Sequence, residues 1–329
     1  MGHVAGMVTI NDIEQAADRI APHVLKTPLL ESETLNARLG GRLFVKAESL
    51  QKTGSFKLRG ATNRISALSE VEKARGVVAY SSGNHAQGVA LAAKIHHVNA
   101  VIVMPSDAPK VKIANTERHG AEVVLYDRDT ESREEIGEAI AEKRGSVLIP
   151  PYDDAHIIAG QGTAGLEIAE QAEEAGVILD DVVICCSGGG LSSGVSLALA
   201  DRSPETAVWT AEPEGFDDTA RSLAAGRRVS NKPGVKSICD ALLLPTPGSL
   251  TFPILSEHIA GGLVVDDDDV RRAMRIAFEE FKLVLEPGGA VALATILSRR
   301  IDVLGKNVAV IATGGNVDAA LFAEVIQGR

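Results

Sequence analysis

Aromatic residues are scarce in this chain: seven Phe, three Tyr and one Trp make up 3% of 329 residues. Glycine and alanine are plentiful instead, which suits helices pressed closely against a sheet. Cysteine is nearly absent. Cys185, Cys186 and Cys239 fit neither a disulfide framework nor a zinc spacing, and a reduced, cytoplasmic setting is the expectation. Basic residues are in deficit, 33 Lys and Arg against 44 Asp and Glu, for a net charge of −11. Nucleic acid and anionic membranes reward clustered positive charge, so both are excluded as expected partners. No apolar run reaches the length of a membrane span, and no secretory signal is read ahead of the first helix. What remains is a soluble globular composition, 45% hydrophobic and 23% charged, long enough for two domains and a large core.

The order of patterns is strand, turn, helix, repeated. A helix is predicted from Asn11, with Ile13, Ala16, Ala17 and Ile20 as its apolar stripe. A short strand at 42–47 leads to a second helix opening near Lys57. From residue 77, strands at 77–80, 100–104, 122–126 and 147–149 alternate with helices at 84–94, 110–119 and 131–144. After Pro150-Pro151 the sequence predicts a loop through Gly160-Gln161-Gly162-Thr163, then a helix to about Ala175. Strands follow at 182–186, 208–211 and 307–312, with a long amphipathic helix capped by Asp266–Asp269 between the last two. Alternation of this kind predicts α/β architecture with parallel sheets covered by helices. The proline break places a small domain at 75–153, inserted into a larger one formed by 1–74 and 154–329.

Four short stretches carry chemistry. In Thr53-Gly54-Ser55-Phe56-Lys57-Leu58-Arg59-Gly60, a lysine follows a glycine turn at the start of a helix. A lysine buried there loses its charge readily, and the free amine can form a Schiff base. Ser81-Ser82-Gly83-Asn84-His85 sits between a strand and a helix, where an asparagine alone reads as turn chemistry or a cap. Ser187-Gly188-Gly189-Gly190-Leu191 sits likewise, and successive N–H groups ahead of a helix form an anion cradle. It lacks the spacing of a dinucleotide fingerprint or a Walker loop. Thr313-Gly314-Gly315-Asn316 closes the last strand.

Together these motifs resemble the fold type II (tryptophan synthase β-like) enzymes that use pyridoxal 5′-phosphate, and within them the serine/threonine dehydratase and serine racemase group. The resemblance runs from Thr27 to Asn316. It implies two parallel-sheet α/β domains with the cofactor in the cleft between them, and a homodimer. It further implies that Lys57 carries the cofactor beside Phe56, that the 187–191 loop holds its phosphate, and that Asn84 bonds its phenolic oxygen. Ser81, Gly83, Asn84 and His85 would hold the substrate carboxylate, although a packed core histidine accounts for His85 equally well. Thr313 would face the pyridine nitrogen, where a neutral hydroxyl cannot keep that nitrogen protonated as a carboxylate can. Glu286 matches a glutamate near the ring, and helix capping ahead of Pro287 explains it too.

The resemblance implies three further roles. Ser82 stands where serine racemases keep a second base, on the face opposite the lysine. Arg133 matches an arginine beside bound dicarboxylates, unless it is an exposed helix arginine paired with its acidic neighbours. Glu212, Asp218 and the carbonyl of Phe216 match a divalent-cation site for Mg²⁺, Mn²⁺ or Ca²⁺, for which an acidic surface turn is the alternative. The expected activity is an ammonia-lyase converting a β-hydroxy amino acid such as L-threonine or L-serine to a 2-oxo acid and ammonia. Hydroxyaspartate dehydration and serine racemisation are its rivals on the same scaffold. A non-catalytic ligand-binding protein is the rival of another class, and the intact lysine, glycine loop and asparagine argue against it.

Overall fold

The computed structural model describes residues 8–328 apart from 82 and 109. Ten strands are present among them: β1 (Leu29–Glu31), β2 (Arg42–Lys46), β3 (Val77–Tyr80), β4 (Ala100–Pro105), β5 (Glu122–Tyr126), β6 (Val147–Leu148), β7 (Asp181–Cys185), β8 (Ala207–Pro213), β9 (Gly261–Val265) and β10 (Asn307–Ile311). They form a six-stranded sheet ordered β1-β2-β10-β7-β8-β9 and a four-stranded sheet ordered β5-β4-β3-β6. Every pairing of these strands is parallel except β1 with β2.

The central strands are buried on both faces, and this explains their unbroken apolar runs. Val183, Cys185, Val308 and Val310 join one core layer, while Val182, Ile184, Ala309 and Ile311 join the layer on the opposite face. Successive side chains on a strand point to opposite faces, so one run of residues serves both layers. The four-stranded sheet packs into a separate core with Leu58, Ala61 and Ile65 of the helix Lys57–Ser66.

One expectation is overturned here. Gly160-Gln161-Gly162-Thr163 is not a loop but lies inside the helix Ala155–Glu174. In sequence these glycines read as turn formers, whereas in the fold they make room for neighbouring helices. A Cβ on Gly160 would lie 2.6 Å from the Cα of Gly60, and one on Gly194 would lie 2.2 Å from the carbonyl oxygen of Ile158. Two smaller shifts concern helix starts. Thr9, not Asn11, caps the first helix through a reciprocal bond with Asp12, and the helix after the glycine loop begins at Gly190 rather than Ser192.

Charges are buried between the helix of Lys57 and the helix Ala155–Glu174. Arg59, Glu48 and Lys46 have no exposed side-chain surface. The Arg59 guanidinium donates to both oxygens of Glu48 at 2.7 and 2.8 Å and to both oxygens of Glu167 at 2.7 and 2.8 Å. Lys46 Nζ donates to Glu167 at 2.6 Å, to Gln171 at 2.7 Å and to the carbonyl of Thr27 at 2.6 Å. Two cations meet two anions, and removing one leaves an uncompensated buried charge. Arg59→Leu is therefore expected to destabilise the protein by about 3–5 kcal/mol, far more than a surface charge change. Denaturant unfolding monitored by circular dichroism measures this; a loss below about 1 kcal/mol would contradict it.

Candidate active site

The C-terminal ends of β3, β7 and β10 open onto one cavity of about 240 Å³, in the position where parallel α/β sheets bind ligands. Its walls bring together Phe56, Lys57, Ser81, Gly83, Asn84, His85, the whole loop Ser187–Leu191, Glu286 and Thr313. The Ser81–His85 stretch, the 187–191 loop and Thr313 converge because each follows a strand end, while Glu286 enters as the cap of the helix Pro287–Leu297. Ser82 lies outside the described residues.

Lys57 opens the helix Lys57–Ser66, and the preceding Ser55 bridges to Gly314 while the Phe56 N–H donates to the Thr313 carbonyl at 3.1 Å. Lysine and last strand are thereby held in fixed register. Gly88, on the helix Asn84–Ile95, presses against the Lys57 backbone, where a Cβ would come within 3.1 Å. Lys57 Nζ donates to the carbonyl of Pro151 at 2.7 Å and lies 5.2 Å from the centre of the Phe56 ring. Burial pulls its ammonium down to about 8, with Glu286 only partly opposing the shift.

The glycine loop runs from β7 into the helix Gly190–Arg202. Gly189 has φ near +90°, a conformation that side chains rarely adopt, and it turns successive N–H groups toward the cavity. Among the described residues, the N–H groups of Ser187, Gly188 and Gly189 have no backbone acceptor, and the buried Ser187 hydroxyl has no partner. A Cβ on Gly188 would lie 2.4 Å from the Tyr152 ring. The loop is thus an array of unused donors with no room for side chains. Asp153 fixes its far side by accepting from the N–H groups of Ser249 and Leu250 at 2.9 and 2.8 Å, and Thr251 donates to the Gly188 carbonyl at 2.6 Å.

Asn84 Nδ2 donates to Glu286 at 2.5 Å, and its Oδ1 accepts from Asn316 Nδ2 at 2.7 Å. Burial, reinforced by Asp240, raises the Glu286 carboxyl to about 7. His85 turns its ring away, with Nε2 at 2.9 Å from the Ile149 carbonyl. Burial and then the Lys57 charge lower its pKa to about 3, so it is a neutral packed histidine, and its side chain is engaged elsewhere. Arg133 does reach the cavity wall, 5.7 Å from the centre of the Tyr80 ring, but also donates to Glu134 at 2.8 Å.

Glu212, Phe216 and Asp218 lie apart from this cavity. Glu212 accepts from the N–H groups of Thr219 and Ala220 at 2.9 and 2.8 Å, at the start of the helix Asp218–Ala225. Asp218 accepts from Asn231 at 2.5 Å, and its second oxygen is buried without a partner among the described residues. Burial, then Asp218, raises Glu212 to about 8, and burial raises Asp218 to about 6. This is not an exposed acidic turn, since both side chains are almost fully buried. Among the described residues no three Asp, Glu, His or Cys side chains gather as a ligand cluster, so a cation here would need the carbonyl of a residue such as Phe216 and waters.

Sequence reasoning missed Tyr152, Lys112 and the segment Asp240–Leu244, which also line the cavity. Lys112 and Asp240 pair at 3.3 Å across its mouth. The Pro-Pro-Tyr break, in a chain with three tyrosines, was the one signal that could have flagged Tyr152. A test of the lysine's setting follows from its lowered pKa. With the protein freed of small molecules, the labelling rate of Lys57 by an amine-directed acylating reagent should rise through pH 8 and then level. An ordinary lysine keeps rising toward its pKa of about 10.4. Peptide mass spectrometry reads both, and a Lys57 profile matching ordinary lysines would refute the desolvated amine.

The chain matches the family model of pyridoxal-phosphate dependent enzymes over residues 20–314. It is 41% identical over 322 residues to the L-threo-3-hydroxyaspartate ammonia-lyase of Saccharomyces cerevisiae, covering 98% of this chain and 97% of that one. The solved structure of maize serine racemase matches with a TM-score of 0.90 at 39% identity, covering 98% of this chain and 97% of that one. The solved structure of a T.th. threonine deaminase matches with a TM-score of 0.88 at 44% identity, covering 94% and 99%. The chain belongs to the pyridoxal-phosphate dependent enzymes, in the fold type II group that contains the ammonia-lyases and serine racemases.

Proposed function

We propose that this enzyme is an ammonia-lyase for β-hydroxy amino acids such as L-threonine or L-serine, with Lys57 as the residue that carries pyridoxal phosphate. The observation behind the proposal is the arrangement of Lys57: a desolvated amine in one cavity with an anion cradle and a neutral hydroxyl, Thr313. The residues fit the cofactor. The unused N–H groups and the orphaned Ser187 hydroxyl suit a phosphate, and the glycines leave no side chain in its way.

When bound, the cofactor supplies an electron sink for charge developing at the substrate α-carbon. The protein's share is orientation and proton traffic. N–H groups at the start of the helix Asn84–Ile95 hold the substrate carboxylate, since the first N–H groups of a helix lack internal acceptors. The Lys57 amine, half uncharged near pH 8, takes the α-proton as a positioned base. Loss of the β-hydroxyl and hydrolysis of the resulting enamine give one 2-oxo acid and one ammonia. Glu286 and Asn316 hold the Asn84 amide in one orientation, from which it would meet the cofactor.

A second reading, a 3-hydroxyaspartate substrate, draws support from Arg133 and Lys112, two cations on the cavity wall. A guanidinium would pair bidentately with a second carboxylate. L-Threonine, L-serine and 3-hydroxyaspartate assayed for 2-oxo acid and ammonia separate the readings. Arg133→Ala should lower kcat/KM roughly 10- to 100-fold for hydroxyaspartate and leave threonine nearly unchanged if the second reading holds. Equal losses would remove it. Lys57→Ala should lower turnover about ten-thousandfold or more, because covalent and acid–base contributions vanish together. Near-normal ammonia release by that variant would overturn the assignment.

We further propose that Glu212 and Asp218 hold a divalent cation. Without it, both carboxyls bind protons more readily in the folded than in the unfolded state. Stability in chelator should therefore fall as pH rises through about 6 and on to about 8. Added Mg²⁺ or Ca²⁺ should raise the melting temperature and flatten that slope, because a ligand of the native state stabilises it by mass action. Glu212→Gln/Asp218→Asn should abolish the response. A melting curve indifferent to chelator and cation across this range would leave the carboxyls a structural pair.

A further inference from the structure

One thiol on the cavity wall has no part in the reading above. Cys185 is the last residue of β7, is 5% exposed, and faces the cavity beside Lys57 and Glu286. β7 and β10 are hydrogen-bonded neighbours, so their C-terminal ends lie side by side. Cys185 Sγ lies 3.1 Å from Thr313 Oγ1. Among the described residues this is the one hydrogen bond made by the Thr313 hydroxyl. The Thr313 backbone is fixed separately, through the Phe56 N–H on its carbonyl.

A threonine hydroxyl has one proton and two lone pairs. If that proton goes to sulfur, the cavity meets lone pairs only. If the thiol donates instead, the hydroxyl proton is free to face the cavity. Sulfur is a weak acceptor, which disfavours the first arrangement. Burial pushes the thiol up to about 11, so it keeps its proton near neutral pH and has one to give. The sulfur itself is held in place by packing, since Cys185 belongs to the core layer shared with Val183, Val308 and Val310.

We propose that Cys185 is a positioning residue whose S–H donates to Thr313 Oγ1, turning the Thr313 proton toward the cofactor's ring nitrogen and holding that nitrogen as an unprotonated acceptor. The inference rests on the reading that Thr313 faces that nitrogen. It assigns the choice of ring protonation state to two side chains acting in sequence rather than to the threonine alone. A chain of two hydrogen bonds strengthens each member, so losing the thiol weakens the bond to the ring as well.

Reconstitution with pyridoxal phosphate labelled with ¹⁵N in the ring tests this at a fixed pH of about 7.5, since the nitrogen's chemical shift distinguishes protonated, hydrogen-bonded and free pyridine. Wild type should give the neutral, hydrogen-bonded signal. Cys185→Ala should move the signal toward free pyridine and lower kcat by roughly five- to tenfold with little change in KM. Cys185→Ser, which restores a donor, should return both toward wild type. A protonated ring nitrogen in wild type would overturn the proposal, as would a Cys185→Ala signal identical to wild type. Thr313→Val separates the two levels. If that variant leaves the nitrogen signal unchanged, the placement of Thr313 fails; if Thr313→Val moves it and Cys185→Ala does not, only the role of Cys185 fails.

Discussion

The candidate site is built around an ammonium that burial disfavours and that, among the described residues, donates to no carboxylate. Lys57 donates to a backbone carbonyl, not to an acid, and desolvation therefore lowers its pKa to about 8. Two residues along the same helix, Arg59 is fully buried and surrounded by Glu48 and Glu167. The two side chains leave the helix toward different surroundings, and so one stays a permanent ion and the other becomes a usable amine. The buried ion cluster secures the helix against its neighbour, and the cavity on the other side receives a lysine with fixed backbone and adjustable charge.

The same contrast runs through the rest of the cavity. Burial, reinforced by Asp240, raises Glu286 to about 7 although Asn84 donates to it, and Asn84 is held in turn by Asn316. His85 is made neutral by burial and is used as a packing residue against the Ile149 carbonyl. Thr313 and Cys185 bring no formal charge to the wall they share. Arg133, Lys112 and Asp240 are the charged exceptions on the cavity wall.

The lysine turn, the Ser81–His85 stretch, the glycine loop and the last strand's end were legible because each is a local pattern tied to a strand end. Their convergence follows from parallel topology, which sends every strand's C-terminus to one side of its sheet. The helix Ala155–Glu174 was misread at its glycines because packing, not turn formation, selected them, and packing against Gly60 and Gly194 is invisible in a linear sequence. Tyr152, Lys112 and Asp240 reach the cavity by tertiary placement with no motif of their own. For His85 the direction of the ring, and for Glu212 and Asp218 burial, had to come from the fold. Neither is written in residue type.

Sheet order also governs how the protein is made. β10 lies between β2 and β7, with Val308 paired to Leu43 on one side and Asp181 on the other. A ribosome delivers the chain from its N-terminus, so β2 emerges early and its inner edge stays unpaired until residues near 311 have left the exit tunnel. The four-stranded sheet draws its strands from residues 77–148 alone and needs no such wait. Domains and sheets with local strands fold first during synthesis, while exposed edges are open to wrong pairing. Of the described strands β10 comes latest in the sequence; it closes the large sheet and carries Thr313 to the cavity in the same step. Until β10 pairs, the chain holds a lysine without the wall that faces it.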